Sequence, residues 1–291
     1  MADRITWTSA DGATVLDFTD EGAGYRVLSN GTRGLRSVTY EMVTDRYAGL
    51  DGENVSNVRA VGNEITLGLL VKADGESELR TRIRGLVHAM RPKAGSGLLS
   101  YSTPEGETRT LDCYCTDGLQ GDESGDTTLA GSWWKAALKF YAPSPWWLGE
   151  ARSVAFALDA PSNFFPIFPL EPSASSVQGM FTVDLSDTDA PTFPQWTVVG
   201  PGSSLLLENQ TTGRQIQINA SLAAGESMLI DTRPGFQTIR RGDGTNLMPA
   251  LASDPALWPL IEGVNRVSAQ LVGATSASRI IGAYRPRYAG I

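Results

Sequence analysis

Residues 222–246 are the stretch that most constrains how this chain folds. Two short apolar runs, residues 228–230 and 236–239, are separated from their neighbours by turn-forming residues at 234–235 and 242–244. Runs this short, bounded by Gly, Pro and Asp, are typical of strands joined by tight connections, because a helix needs a longer periodic segment. The stretch therefore predicts a β-meander, and it contains no catalytic motif.

The same alternation of short apolar runs and turn residues continues through the second half. The chain contains 31 glycines and 16 prolines, so many turns interrupt its regular structure. About eight strands at spacings of roughly ten residues are typical of a β-sandwich. These strands are predicted at residues 179–185, 195–199, 204–208, 214–219, 227–231, 237–241, 266–272 and 279–285.

The first half also predicts short strands, and one long segment stands apart from them. Residues 44–63 are polar and rich in glycine, too long for a tight hairpin and too poor in apolar residues for a core element. We expect a mobile or partner-contacting loop there. The strands are predicted at residues 5–7, 14–18, 25–28, 35–43, 64–71, 97–101, 108–116 and 132–141.

One α-helix is predicted, at residues 75–90, and Pro92 ends it. Its apolar residues share one side at helical spacing: Leu79, Ile83, Leu86, Val87 and Met90. At ~100° per residue, the opposite side carries a basic stripe, which consists of Arg80, Arg84, His88 and Arg91. The stripe is either a solvated helix face or a subunit contact against acidic loops such as residues 117–126.

A proline-rich junction divides the chain into two predicted domains. The apolar strand at residues 132–141 runs into Pro143 and Pro145, and two prolines in three positions cannot continue a central strand. At 291 residues the chain is long enough for two domains, each with its own core. We place domain 1 at residues 1–148 and domain 2 at residues 149–291.

Catalytic groups are scarce in this sequence. His88 is the single histidine, and no nucleophile elbow, phosphate-binding loop or zinc-protease motif lies near it. Cys113 and Cys115 alternate on one strand, where two thiols are poorly placed for a disulfide and too few for zinc. Carboxylate pairs for a glycoside hydrolase are too numerous for the sequence to single one out. We expect buried free thiols, no catalytic residue, no cofactor and no metal site.

Aromatic residues offer an alternative function. The chain has seven tryptophans, and an exposed indole ring stacks well on a sugar. Trp196 and Trp258 are therefore candidates for a carbohydrate site on the predicted sandwich. The competing interpretation is that these rings fill the core, as large aromatic side chains commonly do.

The charge balance argues against a nucleic-acid binder. The net charge is -8 at pH 7, whereas phosphate neutralisation needs a surplus of cations. The first residues have neither the basic start nor the apolar core of a signal peptide, and no run approaches the ~18 apolar residues of a membrane span. We expect a protein that is made and folded in a cytoplasm.

Motifs of the second half occur in a characteristic order, at residues 194–201, 206–213, 224–232, 242–246, 260–265 and 283–288. Among them are Pro-Gln-Trp-Thr-Val-Val-Gly-Pro in the first and Gly-Asp-Gly-Thr-Asn in the fourth. This order resembles the siphophage distal tail protein family. In the first half, the loop–strand–helix order and the Phe-Tyr-Ala-Pro-Ser-Pro-Trp-Trp junction at residues 140–147 resemble the ring-forming domain of that family.

The resemblance implies a structural protein of the virion tail tip rather than an enzyme. About six copies would form a ring that joins the distal end of the tail tube to the baseplate hub or receptor-binding apparatus. The fold would be mainly β: a split β-barrel-like ring domain with one α-helix, then an outer, galectin-like β-sandwich.

The resemblance also implies a set of partners. They are further copies of the chain, the tail tube protein, a tail hub or tail-associated protein, and receptor-binding proteins. DNA would pass through the ring without specific binding, assembly would take place in the host bacterial cytoplasm, and no part would insert into a membrane. Under the alternative function, the sandwich would bind carbohydrate during host adsorption.

Overall fold

The chain divides into two compact units. The computed structural model describes residues 3–49, 51–120, 128–129, 132–157, 176–252 and 256–291. Unit 1 comprises Met1–Glu150 together with Tyr288–Ile291, and unit 2 comprises Ala151–Arg287. The sequence placed the boundary between residues 148 and 149, and it did not predict that the last four residues belong to unit 1.

Unit 1 is mainly β, with one α-helix among its described residues. Its elements are β1 (Arg4–Thr8), β2 (Val15–Asp17), β3 (Tyr25–Arg33), β4 (Thr39–Asp45), β5 (Asn54–Val61), β6 (Asn63–Lys72), α1 (Glu76–Ala89), a 3-10 turn (Pro92–Ala94), β7 (Gly97–Ser102), β8 (Thr108–Asp117), β9 (Thr128–Leu129), β10 (Trp133–Ala142) and β11 (Trp147–Leu148).

Most strands of unit 1 form one large antiparallel sheet, whose main path runs in the order β2-β1-β7-β8-β10-β6-β3. Along β10, Trp134, Leu138 and Phe140 are buried while Lys135 and Lys139 are exposed. This is the period-2 alternation that the sequence predicted for residues 132–141. The buried side chains of these strands and of α1 form a single core.

The predicted helix is present, with a narrower apolar side than expected. Leu79 and Leu86 are buried in the core of unit 1, whereas Val87 is 42% exposed. Placing Val87 on the apolar side was wrong, because a residue next to Leu86 is turned by ~100° towards solvent. At the end of α1, the buried Trp7 Nε1 donates to the Ala89 carbonyl at 3.0 Å, which gives a terminal helix carbonyl a partner.

The loop predicted at residues 44–63 is wrong, because the structure forms a β-hairpin there. β4 and β5 pair antiparallel as a separate two-stranded sheet. Two glycines in the connection, Gly49 and Gly52, have φ angles of +86° and +91°, which side chains other than glycine rarely adopt. Both strands are largely exposed, so they lack the buried face whose alternation reveals a strand in sequence.

Unit 2 contains strands and a 3-10 turn, with no α-helix in the part that the structure describes. Its elements are β12 (Arg152–Ala157), β13 (Ser176–Leu185), β14 (Gln195–Val199), β15 (Ser204–Asn209), β16 (Arg214–Ile218), β17 (Ser227–Asp231), β18 (Thr238–Arg241), a 3-10 turn (Met248–Ala250), β19 (Gly263–Val272) and β20 (Arg279–Tyr284), followed by β21 (Arg287–Tyr288) at the unit boundary.

Two antiparallel sheets make up unit 2. One has the order β12-β20-β14-β17-β18 and the other β13-β19-β15-β16. Inward residues of both sheets, such as Trp196, Ile230, Leu207 and Val267, share one core cluster. All eight strands predicted for the second half are present with small shifts at their ends, and the mainly β fold class with a sandwich in the second half is confirmed.

The last four residues of the chain are held in unit 1. β21 pairs with β11, and the Arg109 guanidinium lies 3.8 Å from the centroid of the Tyr288 ring. Arg109 Nη1 donates to the Gly290 carbonyl at 2.6 Å, and Ile291 N donates to the Leu35 carbonyl at 3.0 Å. These contacts join residues that are far apart in sequence.

Candidate functional site

The β4–β5 hairpin exposes an apolar face. Pairing sets Tyr40 opposite Ala60 and Met42 opposite Val58, so these four side chains project from the same side of the hairpin. Tyr40 is 51% exposed, Met42 64% and Val58 51%. The hairpin contributes no residue to either core cluster of the described chain. Contiguous exposed apolar side chains of this kind mark a contact surface for another molecule.

Charged side chains accompany this apolar face. Arg59 Nε donates to Glu41 Oε2 at 2.8 Å on the opposite side of the strands, and nearer the tip Arg46 Nε donates to Glu53 Oε1 at 2.6 Å. Ion pairs as exposed as these contribute little to stability. A two-stranded hairpin with no packed face is marginally stable in water, so covering its apolar face would stabilise it.

A buried amide fixes the base of the hairpin to unit 1. Asn63, at the start of β6, is only 2% exposed. Its Oδ1 accepts a hydrogen bond from Thr39 Oγ1 at 3.2 Å, and its Nδ2 donates to the Gly34 carbonyl at 3.1 Å. Because both ends of the amide have partners, the burial of this polar group is compensated.

The predicted basic stripe lies on the surface of unit 1. Arg80, Arg84 and His88 project from α1, Arg91 follows the helix, and all four are exposed. Arg80 forms an ion pair with Glu76 one turn earlier, and Arg91 Nε donates to the His88 carbonyl at 3.2 Å. Within the described residues Arg84 has no ion-pair partner. The structure thus shows an exposed stripe, and its role as a subunit contact stays a prediction.

The acidic loop suggested as the counterpart of the stripe is described only at its beginning. Asp117 pairs with Lys139 at 2.7 Å, so its charge is already neutralised locally. The hydrogen bond from Lys139 is the largest of the effects that hold the pKa of Asp117 below its ordinary value. Residues 121–127, which carry the other acids of this loop, lie outside the described residues.

Arg82, beside the stripe, has a structural role. Its side chain is only 23% exposed, and its guanidinium pairs with Glu78 at 2.7 Å. Nη1 also donates to the Lys72 carbonyl. The group lies directly over Gly24, where φ is +84° and a Cβ would collide with the backbone carbonyl of Lys72. Glycine is therefore required at position 24.

The two tryptophans chosen for sugar stacking are buried. Trp196 is 1% exposed and Trp258 is fully buried. Their rings lie 5.8 Å apart in an edge-to-face arrangement within the core of unit 2. The stacking prediction is wrong for both residues, because a ring with no exposed face cannot stack on a ligand. Their role is to fill the core.

An exposed aromatic ring of unit 2 lies elsewhere, in the connection between β17 and β18. Phe236 is 66% exposed, and the Arg233 guanidinium lies 5.2 Å from its ring centroid. Arg233 is held in turn by Asp231, with Nη2 2.7 Å from Oδ2. In the sequence, Phe236 counts only as the start of an apolar run, although a Pro-Gly turn followed at once by Phe is a signal for an aromatic side chain at a loop tip.

The cysteines are free and buried, as predicted. Burial raises the pKa of Cys115 to about 11, and burial likewise raises the pKa of Cys113. Thiols in this state are poor nucleophiles. Across the described ranges no three His, Cys, Asp or Glu side chains lie close enough together to hold a metal ion.

The carboxylates at the turns of unit 2 serve the backbone. Asp243 accepts from Thr245 N at 2.8 Å, and this hydrogen bond is the largest cause of the lowered pKa of Asp243. Asp231 accepts from Arg233 N at 3.0 Å. Both contacts are local turn interactions.

The length of a helix decides whether it could cross a membrane. α1 has 14 residues, and no helix in the described part of the chain is long and apolar enough to cross a bilayer.

Comparison with known families identifies the second half of the chain. Residues 187–288 match the family model described as the siphovirus-type tail component, C-terminal domain. This part of the chain is therefore similar to a siphovirus-type tail component domain. The resemblance stated from the sequence is thereby confirmed, and the strands β14 to β20 lie within the matched residues. No curated protein sequence matches the chain.

Solved structures extend the likeness over both units. The SPP1 Dit (gp 19.1) protein, described as a paradigm of the hub adsorption apparatus in Gram-positive infecting phages, is 19% identical with a TM-score of 0.66. That likeness covers 98% of this chain and 99% of the other. A chain of the phage P2 baseplate in its activated conformation with Ca is 12% identical with a TM-score of 0.52, and it covers 99% of this chain and 98% of the other. At these identities the comparison shows a shared fold.

Family and fold agree on the kind of protein. The similarity of residues 187–288 to a siphovirus-type tail component supports a structural role in a phage tail or baseplate, and therefore a place in the virion. The hairpin and the stripe, both in unit 1, lie outside the residues that the family model matches.

Proposed function

We propose that this chain is a distal tail protein whose copies form a ring, about six to a ring. The ring joins the end of the tail tube to the baseplate hub or receptor-binding apparatus. Unit 1 makes the contacts between copies, and unit 2 is the galectin-like sandwich. The function is structural, with no catalytic step, no cofactor and no metal.

The apolar face of the β4–β5 hairpin is the observation that carries this proposal. A ring needs head-to-tail contacts in which two different patches of the same chain meet. Met42, Tyr40 and Val58 form one such patch, which is exposed in the isolated chain. Burying it against a neighbouring copy removes apolar surface from water, which is the dominant favourable term in association.

Charge supplies a second element of the contact. The hairpin segment carries more acids than bases: Glu41, Asp45, Asp51 and Glu53 against Arg46 and Arg59. The stripe of Arg80, Arg84, His88 and Arg91 is basic and exposed. Opposite charges on the two sides of a contact orient the partners and speed their encounter. Because its charge is opposite to that of the hairpin, we propose that the stripe is part of the subunit interface.

The wider partners follow from the position of such a ring. They are the tail tube protein on one side and a tail hub, tail-associated protein or receptor-binding protein on the other. A net charge of -8 suits a ring through which DNA passes without binding. Assembly takes place in the host bacterial cytoplasm, where Cys113 and Cys115 stay reduced.

Native mass spectrometry and negative-stain electron microscopy of the full chain test the proposal. Wild-type protein should form rings of about six copies. Met42→Asp should abolish them, because a carboxylate buried in an apolar contact without a partner is costly. Met180→Asp is the matched control, since Met180 lies in unit 2 and is 66% exposed, close to the 64% of Met42. It should leave the rings intact.

Unfolding free energies and assembly on purified tail tubes complete this test. Both variants should keep the wild-type unfolding free energy within ~0.5 kcal/mol, as exposed substitutions do. If the isolated chain is monomeric, the same comparison is made with purified tail tubes as a template. The proposal fails if no ring forms under either condition, or if Met42→Asp assembles like the wild type.

A further inference from the structure

The outer face of the β12-β20-β14-β17-β18 sheet carries a row of apolar side chains. Trp196 and Ile230 point into the core of unit 2, so the residues next to them along their strands point outwards. Register places three outward side chains side by side on β20, β14 and β17, namely Ile281, Thr197 and Leu229. Leu229 is 43% exposed, and the other two are half-buried. These three residues are called the central row.

Two arginines flank the central row. Arg240 of β18 lies opposite Leu229, and Arg279 begins β20, two residues before Ile281. Both side chains are exposed, and within the described residues neither forms an ion pair. The order of the sheet puts three strand spacings between β20 and β18, which is about 14 Å. The central row therefore has an unpaired positive charge near each of its ends.

The other charged groups around this face are already paired. Arg233 pairs with Asp231 at 2.7 Å, and Arg241 pairs with Glu226 at 2.8 Å. Asp231 is the one carboxylate that the described strands of this sheet turn outwards, and Arg233 neutralises it. The face is thus locally positive, although the whole chain has a net charge of -8.

Phe236 extends the apolar surface beyond the end of β17. Its ring is 66% exposed, and the Arg233 guanidinium lies 5.2 Å from the ring centroid. Asp231 holds that guanidinium through Nη2 and Nε. The ring is therefore oriented before a partner arrives, which lowers the entropic cost of binding.

We infer that this face docks an acidic amphipathic helix of a partner protein. The apolar stripe of the helix lies on the central row, and carboxylates on its two flanks face Arg240 and Arg279. A helix with its side chains is about 10–12 Å across, which fits between two arginines about 14 Å apart across the strands. An apolar centre with arginine and aromatic side chains beside it is also the composition typical of protein–protein interfaces.

Charge and spacing favour this occupant over a polyanion. A nucleic acid or a phosphate polymer is bound by many cations along its backbone, whereas here apolar side chains separate two arginines. Opposite charges on the partner orient it, and like charges repel it. The site goes beyond ring formation, because it uses only residues of unit 2 and requires no second copy.

Fluorescence anisotropy of labelled peptides with the full chain tests the inference. The probe is an 18-residue peptide with leucines at helical spacing and glutamates on both flanks, and its matched forms carry glutamine or lysine in place of glutamate. The glutamate peptide should bind saturably with a Kd of about 10–100 μM, because small interfaces are weak. The lysine peptide should bind at least about tenfold more weakly.

Variants of the face should change this preference. Arg240→Glu with Arg279→Glu should weaken binding of the glutamate peptide at least about tenfold and make the lysine peptide the tighter ligand. Leu229→Asp should abolish binding of the glutamate peptide, because it places a carboxylate in the apolar contact.

Matched controls lie on the other sheet of unit 2. Met180→Asp is an equivalent change at an exposed apolar residue, and Arg214→Glu with Arg266→Glu is an equivalent charge reversal at two exposed arginines. Both should bind the glutamate peptide like the wild type. Unfolding curves of all variants separate lost binding from lost folding.

Four outcomes overturn the inference. They are no binding of the glutamate peptide to the wild type, equal binding of the three peptides, an unchanged preference after the double reversal, and tighter binding of a 20-nucleotide single-stranded DNA than of the glutamate peptide. Ring assembly should be unchanged in Leu229→Asp, and its loss would make this face a contact between copies instead. Failure of the peptide measurements leaves the proposed ring standing, because that ring is tested separately through Met42.

Discussion

Asp231 shows how much a single side chain contributes to the sandwich. Its side chain is only 8% exposed, and it accepts hydrogen bonds from Arg233 and from Gln195 Nε2, the latter at 2.8 Å. Burial alone would raise the pKa of this carboxyl, but the hydrogen bonds from Arg233 and Gln195 outweigh burial and lower the pKa. The charged form is therefore the one that stabilises the folded chain.

We predict that Asp231→Asn lowers the unfolding free energy of unit 2 by about 1.5–3 kcal/mol at neutral pH, because hydrogen bonds to a charged group are lost. A carboxyl with a lowered folded-state pKa contributes stability above its unfolded pKa of about 3.9 and loses it as pH falls through the folded pKa. The difference between the variant and the wild type should thus narrow below about pH 4.

Denaturant unfolding between pH 2 and pH 7 measures this difference. Glu262→Gln, at an exposed carboxylate of the same unit, is the control and should follow the wild type. A difference at neutral pH that persists unchanged at pH 2 would contradict the role given to the charge of Asp231.

The tryptophans show that residue type alone does not determine whether a ring is buried in the core or exposed to a ligand. Trp196 and Trp258 suit both a core and a sugar platform, because an indole ring is large, apolar and flat. Which role applies depends on whether the opposite sheet covers the ring. Phe181, 6.1 Å from Trp196 by ring centroids, comes from that sheet and helps to cover it.

At the level of elements, α1 was predictable, whereas the second strand of the hairpin was not. The helix has a buried side, and Leu79 and Leu86 repeat at helical spacing in sequence. The β4–β5 hairpin has no face packed on a core, so its apolar residues follow no burial pattern. Its remaining signals are the alternation of Tyr40 and Met42 and a glycine-rich turn, which are also compatible with a loop.

We predict that reversing two charges of the stripe, Arg80→Glu with Arg84→Glu, weakens ring assembly at low salt and has a smaller effect at high salt. The physical reason is that exposed charges are screened as ionic strength rises, while apolar contacts are not. Analytical ultracentrifugation at about 0.05 and 0.5 M salt measures the effect.

Arg214→Glu with Arg240→Glu, an exposed double reversal in unit 2, serves as the control for net charge, because it changes the net charge by the same amount. Equal assembly of the double variant and the wild type at both salt concentrations would make the stripe a solvated helix face, the competing interpretation of the sequence. The hairpin would then be the remaining candidate for the subunit contact.

At the scale of the whole molecule, the return of the chain end to unit 1 is the main long-range feature. The Arg109 guanidinium packs on the Tyr288 ring and donates to the Gly290 carbonyl. Arg109 and Gly290 are 181 residues apart in the sequence. A Cβ at Gly290 would collide with the backbone of Arg36, so glycine is needed for this close approach.

We predict that removing residues 288–291 lowers the unfolding free energy of unit 1 by at least about 2 kcal/mol, because Arg109 loses a charged hydrogen bond and a cation–π contact. Hydrogen exchange should quicken in β11 and around Leu35, next to the lost strand pairing. Unit 2 provides the internal control, since its exchange rates should not change. Uniform loss of protection across both units, or none in unit 1, would contradict this assignment.

Sequence by itself determined the strand and turn pattern, the position of the helix, the sandwich of the second half and the family resemblance, because local periodicity and turn chemistry are written in neighbouring residues. Tertiary structure alone decided which aromatic rings are buried, that residues 54–61 form a strand and that the last four residues join unit 1. Each of these depends on contacts between segments distant in sequence, and local patterns do not specify which distant segments will meet.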